Sequence, residues 1–245
     1  MPVTGNNKTL HSLSIRITAD GFSFFVTKAT PGDVIHRENH HVDKGNTLSQ
    51  TLAKAAINPT IADYEYDAVR VVVDSHATCI PVAEFRSEDV RNLFQQVFST
   101  LDLQDNLVLH TTLDALGVVV AFTIPKAVEA TLRDRFPGAV LTCSLANNLQ
   151  RVCEYHHRLQ LDRQPLFAYL QDKYLHVFSL LKDQLFFANR FEVGEGQNSL
   201  YFLLSVWKEL KLDAHQNPCF IGGDSIYVQP LIQEVRRYVR HVEEF

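Results

Sequence analysis

The sequence predicts an α/β fold in which duplicated mixed sheets are flanked by helices. Three observations predict it. Leu13–Val26 and Leu175–Ala188 share one design: an alternating strand, a tight turn carrying an Asp, and a return strand with a Phe-Phe pair. Elsewhere β-branched runs alternate with stretches of helical period, which is the schedule of layered α/β domains. With 46% hydrophobic and 10% aromatic residues, the 245-residue chain can fill a packed core, which excludes a disordered polymer.

Each element has its own local reason. Residues 13–19 and 22–28 alternate apolar and polar, as half-buried antiparallel strands do. Asp20-Gly21 between them is a hairpin signal, because Gly accepts the positive φ that tight turns need. Residues 31–46 are polar and rich in His and are expected to form a surface loop, followed by a short helix near 47–57. Ala68–Val73 is a β-branched run that reads as a buried strand, and Cys79–Phe85 reads as another. Ser87 suits a helix N-cap, with Glu88 and Asp89 in the first turn where the helix dipole favours them. Val90, Leu93, Phe94, Val97 and Phe98 then recur at helical spacing.

Residues 106–112 and 116–123 read as a strand pair. Pro125 opens the next helix, where its missing N–H matters little, and that helix ends at Phe136 before Pro137-Gly138. Ala139–Cys143 is a strand and 145–155 is helical. Tyr155–Pro165 is polar and mixed in charge, and marks the boundary between halves. The second hairpin occupies 174–191, and the helix at 197–210 turns Phe202, Leu203, Val206, Trp207 and Leu210 to one face. Pro218–Ile221 is a short strand running into Gly222-Gly223. A last helix from about 228 buries Leu231, Ile232, Val235, Val239 and Val242, with Arg236, Arg237 and Arg240 on its other face.

Composition narrows the function. A net charge of −5 gives no reason to expect nucleic acid or an anionic membrane as a partner. The longest apolar runs, Val118–Phe122 and Leu200–Trp207, fall far short of the roughly 20 residues that span a bilayer. Met1–Ser12 lacks the apolar core of a signal peptide. Cys79, Cys143, Cys153 and Cys219 are scattered with no C-x-x-C, which suits a reducing compartment. A soluble cytoplasmic protein is the expectation.

Two α/β halves, each opening with a hairpin, resemble the actin, sugar kinase and heat-shock-protein ATPase superfamily, whose domains have a ribonuclease H-like architecture. Asp20-Gly21-Phe22-Ser23 stands where that superfamily has its first phosphate loop, and Lys182-Asp183-Gln184 where it has the second. Phe220-Ile221-Gly222-Gly223-Asp224-Ser225 looks like the strand-to-helix turn that meets adenosine. More narrowly, Leu13-Ser14-Ile15-Arg16-Ile17, Asp20-Gly21-Phe22-Ser23 and Phe220-Ile221-Gly222-Gly223 are similar to an uncharacterised bacterial family of Bacteroidetes with an actin-like ATPase fold, a domain of unknown function. The resemblance implies a first domain at 1–160, with an inserted subdomain at about 86–136, and a second at 161–245. It also implies ATP and Mg²⁺ as the ligands of any working site, held in a cleft between domains by Asp20, Gly21, Ser23, Asp183, Gly222 and Gly223.

The chain departs from that pattern. A phosphate loop aims backbone N–H groups at oxyanions, and that close approach favours small residues. Here Phe22 follows Gly21, and Asp183 is followed by Gln184 and Leu185 with no Gly. No G-x-x-x-x-G-K-[ST] loop and no G-x-S-x-G elbow occur. His36, His40 and His41 with Glu38 and Asp43 are potential metal ligands, but their spacing matches no helix-borne motif and a solvated loop explains them. Cys153-Glu154-Tyr155-His156-His157 lacks a second pair to complete a zinc set and reads as structural. Asp20, Asp74 and Asp183 would form a two-metal nuclease cluster only if their carboxylates converged. Arg236, Arg237 and Arg240 meet phosphate or an acidic partner in one reading and water in the commoner one.

The leading expectation is a non-catalytic scaffold or interaction module with a protein partner. The alternative is an ATP-binding protein or slow ATPase, and a metal-dependent nuclease comes third.

Overall fold

In the computed structural model the described residues are 11–28, 33–159, 161–182, 184–194, 198–223 and 226–245. The chain opens with strands β1 (His11–Ile17), β2 (Gly21–Lys28) and β3 (Val34–His41), then helices α1 (Leu48–Ala56) and α2 (Pro59–Ala62). Next come β4 (Tyr66–Val73), β5 (Ala77–Pro81), α3 (Val90–Val97), β6 (Asn106–Leu113), β7 (Val118–Pro125), α4 (Lys126–Arg135), β8 (Val140–Cys143) and α5 (Ser144–Leu159). The rest is β9 (Leu166–Gln171), β10 (Tyr174–Leu181), β11 (Gln184–Glu192), α6 (Ser199–Glu209), β12 (Pro218–Gly223), α7 (Val228–Val235) and β13 (His241–Glu244).

Two compact units result. One comprises Met1–Ala77, Glu88–His110 and Ala121–Ser144, and the other Thr78–Ser87, Thr111–Val120 and Leu145–Phe245. The first holds a five-stranded sheet of order β3-β2-β1-β4-β8, the second one of order β11-β10-β9-β12-β13. A three-stranded sheet has the order β5-β7-β6.

The two large sheets repeat each other strand for strand. In the first, β1 is antiparallel to β2 and parallel to β4, with β3 antiparallel on β2 and β8 parallel on β4. In the second, β9 is antiparallel to β10 and parallel to β12, with β11 antiparallel on β10 and β13 parallel on β12. The fold is therefore a duplicated mixed α/β architecture. The strand equivalent to β1 is β9, which the sequence reading left without an element. Leu166–Leu170 is buried on both faces, so it shows no alternation to betray a strand.

Packing follows from these positions. Leu13, Ile15 and Ile17 of β1 and Val71 and Val73 of β4 are buried in the first unit, with Phe22, Phe24 and Val26 from β2. Thr47 and Gln50 close a capping box that starts α1, and Ser49 meets Thr131 of α4 hydroxyl to hydroxyl at 2.8 Å. In the second unit, Leu166, Ala168 and Leu170 of β9 share a core with Leu203 and Trp207 of α6 and Leu231, Ile232 and Val235 of α7. The opposite face of β9 packs on α5, where Phe167 meets Tyr155 and His156 edge to face. That packing carries α5 through to Leu159, beyond the residue at which the sequence reading ends it.

Four further expectations are corrected. Part of the expected 31–46 loop is strand β3, an edge strand whose Arg37, Asn39 and His41 are exposed while His36, Glu38 and His40 are partly buried. The last helix stops at Val235; Val239 is buried from a turn and Val242 from β13, so their helical spacing is a coincidence of two elements. The strand expected to reach Phe85 ends at Pro81 and gives way to a 3₁₀ turn at Val82–Glu84, and the following helix starts at Val90, not at a Ser87 cap. Among the described residues no helix is long and apolar enough to cross a membrane.

Candidate functional site

The β1–β2 turn carries Asp20, Gly21, Phe22 and Ser23. The Thr18 N–H and hydroxyl both donate to the Gly21 carbonyl, at 2.9 and 3.2 Å, so the turn closes on itself. The Asp20 carbonyl accepts the Val42 N–H at 3.1 Å, while its side chain is exposed. Any side chain on Gly21 would overlap the His40 carbonyl of β3, so this Gly permits a close strand approach. Phe22 is buried, stacked on the His40 ring with centroids 4.8 Å apart and tilted against Phe24 at 5.2 Å. Ser23 is partly buried and pairs with Arg16 and Asn39 across the sheet. Asp20→Ala is expected to change stability by no more than about 0.5 kcal/mol in a urea melt, because only an exposed carboxylate is removed.

Strand equivalence identifies the partner turn. The β1–β2 turn corresponds to the β9–β10 turn, where Gln171 and Tyr174 pair across Asp172-Lys173. Asp172 has φ +49°, a left-handed conformation that Asp adopts more readily than most residues. This turn was not singled out in the sequence, because its first strand had no alternating pattern. Lys182 stands after the far end of β10, about 25 Å of extended strand from Asp172-Lys173. Asp183 itself lies outside the described residues.

Gly222 and Gly223 end β12. Gly222 pairs with Tyr169 and Gly223 with Leu170, so the glycine pair lies beside the β9–β10 turn. Gly223 has φ +137°, and a side chain there would run into the Leu170 backbone. A side chain on Gly222 would meet the Phe245 carbonyl and approach its ring carbons at 3.2 Å. The Phe245 ring in turn packs on Tyr155, Phe167 and Tyr169, with centroids 5.2, 5.6 and 6.1 Å away. Asp224 and Ser225 lie outside the described residues.

Behind the β9–β10 turn is a buried polar chain. The Asn148 amide of α5 donates to Gln171 Oε1 at 3.2 Å and to His176 Nδ1 at 2.8 Å. Asn148 and His176 are both about fully buried, and this chain ties α5 to β9 and β10 on either side of the turn.

The remaining constellations separate. On β3, His36 Nε2 lies 2.8 Å and His40 Nε2 3.0 Å from the two oxygens of Glu38, to which the Thr60 hydroxyl also donates. Partial burial alone would raise the Glu38 pKa, but the bonds from Thr60, His36 and His40 outweigh it and hold it below the ordinary value of 4.5. The lowered value means that this carboxylate stabilises the fold at pH above about 4.5 and that its contribution fades as pH falls through the folded pKa. Glu38→Gln is therefore expected to flatten the acid limb of a plot of urea-melt stability against pH, and an unchanged limb would contradict the assignment. Among the described residues no group of three or more His, Cys, Asp or Glu side chains is placed to hold a metal. Asp74 follows β4, where its N–H donates to the Ile17 carbonyl at 2.8 Å, at the same sheet end as Asp20.

The thiols are poor nucleophiles. Burial pushes the Cys79 pKa up to about 12 and the Cys219 pKa higher still, so both stay protonated at neutral pH. Cys153 Sγ lies 3.8 Å from His157 Nε2 one helical turn away, but Cys153 is buried in α5.

Comparison with known proteins agrees with this geometry. The family described as Protein of unknown function (DUF3822) matches residues 3–242. A crystal structure from Bacteroides thetaiotaomicron VPI-5482, of a protein with actin-like ATPase fold and unknown function, superposes with a TM-score of 0.81. It is 22% identical, and the match covers 100% of this chain and 94% of that one. The PilM-PilN type IV pilus biogenesis complex is similar at a TM-score of 0.52 and 11% identity, over 97% of this chain and 88% of that chain. No curated protein matches. The fold is thus that of the actin-like ATPases.

Proposed function

We propose that this chain, which belongs to that family of unknown function and has the actin-like ATPase fold, is a non-catalytic cytoplasmic scaffold or protein-interaction module. One observation carries the reading: the protein's own backbone fills the space beside all three candidate glycines. His40 closes on Gly21, Leu170 on Gly223 and Phe245 on Gly222. A phosphate or adenosine contact uses glycine to let the ligand approach, and here that approach is taken. The closed Thr18–Gly21 turn and the buried Phe22 add to it. The likeness to a complex of two pilus-biogenesis proteins accords with a fold that serves assembly.

The second reading, an ATP-binding protein or slow ATPase, rests on the juxtaposition of Gly222-Gly223 with Asp172-Lys173. At such a site Asp172 would supply a carboxylate and Lys173 a cation, with Mg²⁺ held through carboxylate and water. A phosphate-release assay with Mg·ATP separates the two. The scaffold releases phosphate no faster than buffer does. Turnover that disappears in Asp172→Ala and persists in an unrelated surface variant establishes the ATPase instead.

A further inference from the structure

Arg236, Arg237 and Arg240 are not on a helix face. After α7 ends at Val235 the chain makes a turn through 236–238, and Val239 is buried at 2% exposure beneath it. That anchor forces its neighbours outward, so Arg236, Arg237, Tyr238 and Arg240 are all exposed. Backbone bonds hold the arrangement: Tyr238 and Val239 N–H groups both donate to the Val235 carbonyl at 2.9 Å, and Arg240 N–H donates to the Ala214 carbonyl at 2.9 Å. The Arg236 guanidinium is further fixed by its bond to the Val242 carbonyl at 3.2 Å.

These residues line an open hollow of about 380 Å³ together with His215, and among the described residues no carboxylate lines it. The acids nearby are engaged elsewhere: Asp213 accepts from the His215 N–H at 2.7 Å and the Gln216 amide at 3.1 Å, Glu234 lines a separate hollow with Lys208, and Glu244 accepts from the Gln229 amide. The result is a preorganised cationic rim with an exposed aromatic ring, and Arg and Tyr are the residues that carry protein–protein hot spots.

We infer that this hollow docks a short acidic segment of a partner protein, whose carboxylates meet Arg237 and Arg240 while an apolar side chain lies on Tyr238. The inference deepens the interaction-module reading and rests on it. Two features favour a peptide over other anions. The hollow is open, whereas small-molecule sites enclose most of their ligand. The chain's net charge of −5 becomes −8 once these three arginines are set aside, so a long polyanion would be repelled beyond the hollow. Arg forks meet the carboxylates of such a segment in paired hydrogen bonds, as they meet any planar or tetrahedral oxyanion.

The test is fluorescence anisotropy of a fluorescein-labelled oligoglutamate peptide with the full chain, beside a labelled oligothymidylate and phosphatidylserine vesicles. Saturable peptide binding is expected, weakened by salt and reduced about tenfold in Arg237→Gln/Arg240→Gln. Circular dichroism and melting confirm that this variant and Arg237→Glu/Arg240→Glu remain folded. Absent peptide binding, binding indifferent to both variants, or tighter binding of oligonucleotide or vesicle through the same arginines overturns the proposal. Phosphate release is measured separately: a chain that hydrolyses ATP yet binds the peptide through these arginines retires the module and keeps the hollow, and an inert chain that ignores the peptide does the reverse.

Discussion

Gly223→Ala is expected to lower the unfolding free energy by about 3 kcal/mol or more. Two independent penalties add at this position. The backbone stands at φ +137°, which L side chains rarely adopt. The new methyl would also overlap the Leu170 carbonyl, which belongs to the central strand β9 and cannot swing aside as a flexible side chain would. Relief requires β12 to move off β9 and break the parallel ladder that holds the second sheet together. Urea melts read the effect as a lower midpoint at unchanged slope. A variant as stable as the parent would mean that Gly223 is not packed as described. One consequence is practical: lost nucleotide binding in a Gly223 variant reports on folding, so exposed turn residues are the proper probes of any ligand.

Phe167→Ala is expected to cost about 3–5 kcal/mol. Phe167 is fully buried and stacks on Phe220 with centroids 5.1 Å apart. It also meets Tyr155 and His156 of α5 and the Phe245 ring. Removing it opens a cavity at the centre of an aromatic cluster and leaves Phe245 without one wall of its seat. Thermal unfolding should show the loss directly, with the cover over Gly222 loosened as a second effect. A shift no larger than that of a surface substitution would show that α5 is not held to the sheet by this ring.

How much of this was legible follows from where each signal comes from. The hairpin β1–β2 was readable because β1 and β2 each bury one face and Gly21 marks the turn. The second hairpin was equally readable, but strand order makes β10–β11 the counterpart of β2–β3. Its likeness to the first hairpin, Phe-Phe pair included, is displaced by one strand. The true counterpart strand, β9, is a central strand buried on both faces, and its sequence Leu166-Phe167-Ala168-Tyr169-Leu170 carries no period. Asp172-Lys173 was therefore overlooked while Lys182-Asp183 drew attention. β3 failed to register for the opposite reason, because an exposed edge strand is as polar as a loop. The roles of Gly21, Gly222 and Gly223 depend on His40, Phe245 and Leu170, contacts that no local pattern encodes. The three arginines near residue 240 were visible as a charge run, but only the buried Val239 turns them into one rim.

The most direct test is a calorimetric titration of the purified chain with Mg·ATP up to millimolar concentration, repeated with Asp172→Ala and Lys173→Ala. A ligand at 100 times its dissociation constant stabilises a fold by about 2.7 kcal/mol, so a melting scan alongside is sensitive to the same event. The expected result is no saturable heat and no shift in melting temperature. Saturable heat that weakens in both turn variants, with their folding intact, would contradict the scaffold reading in favour of an ATP-binding protein and make the β9–β10 turn a phosphate site.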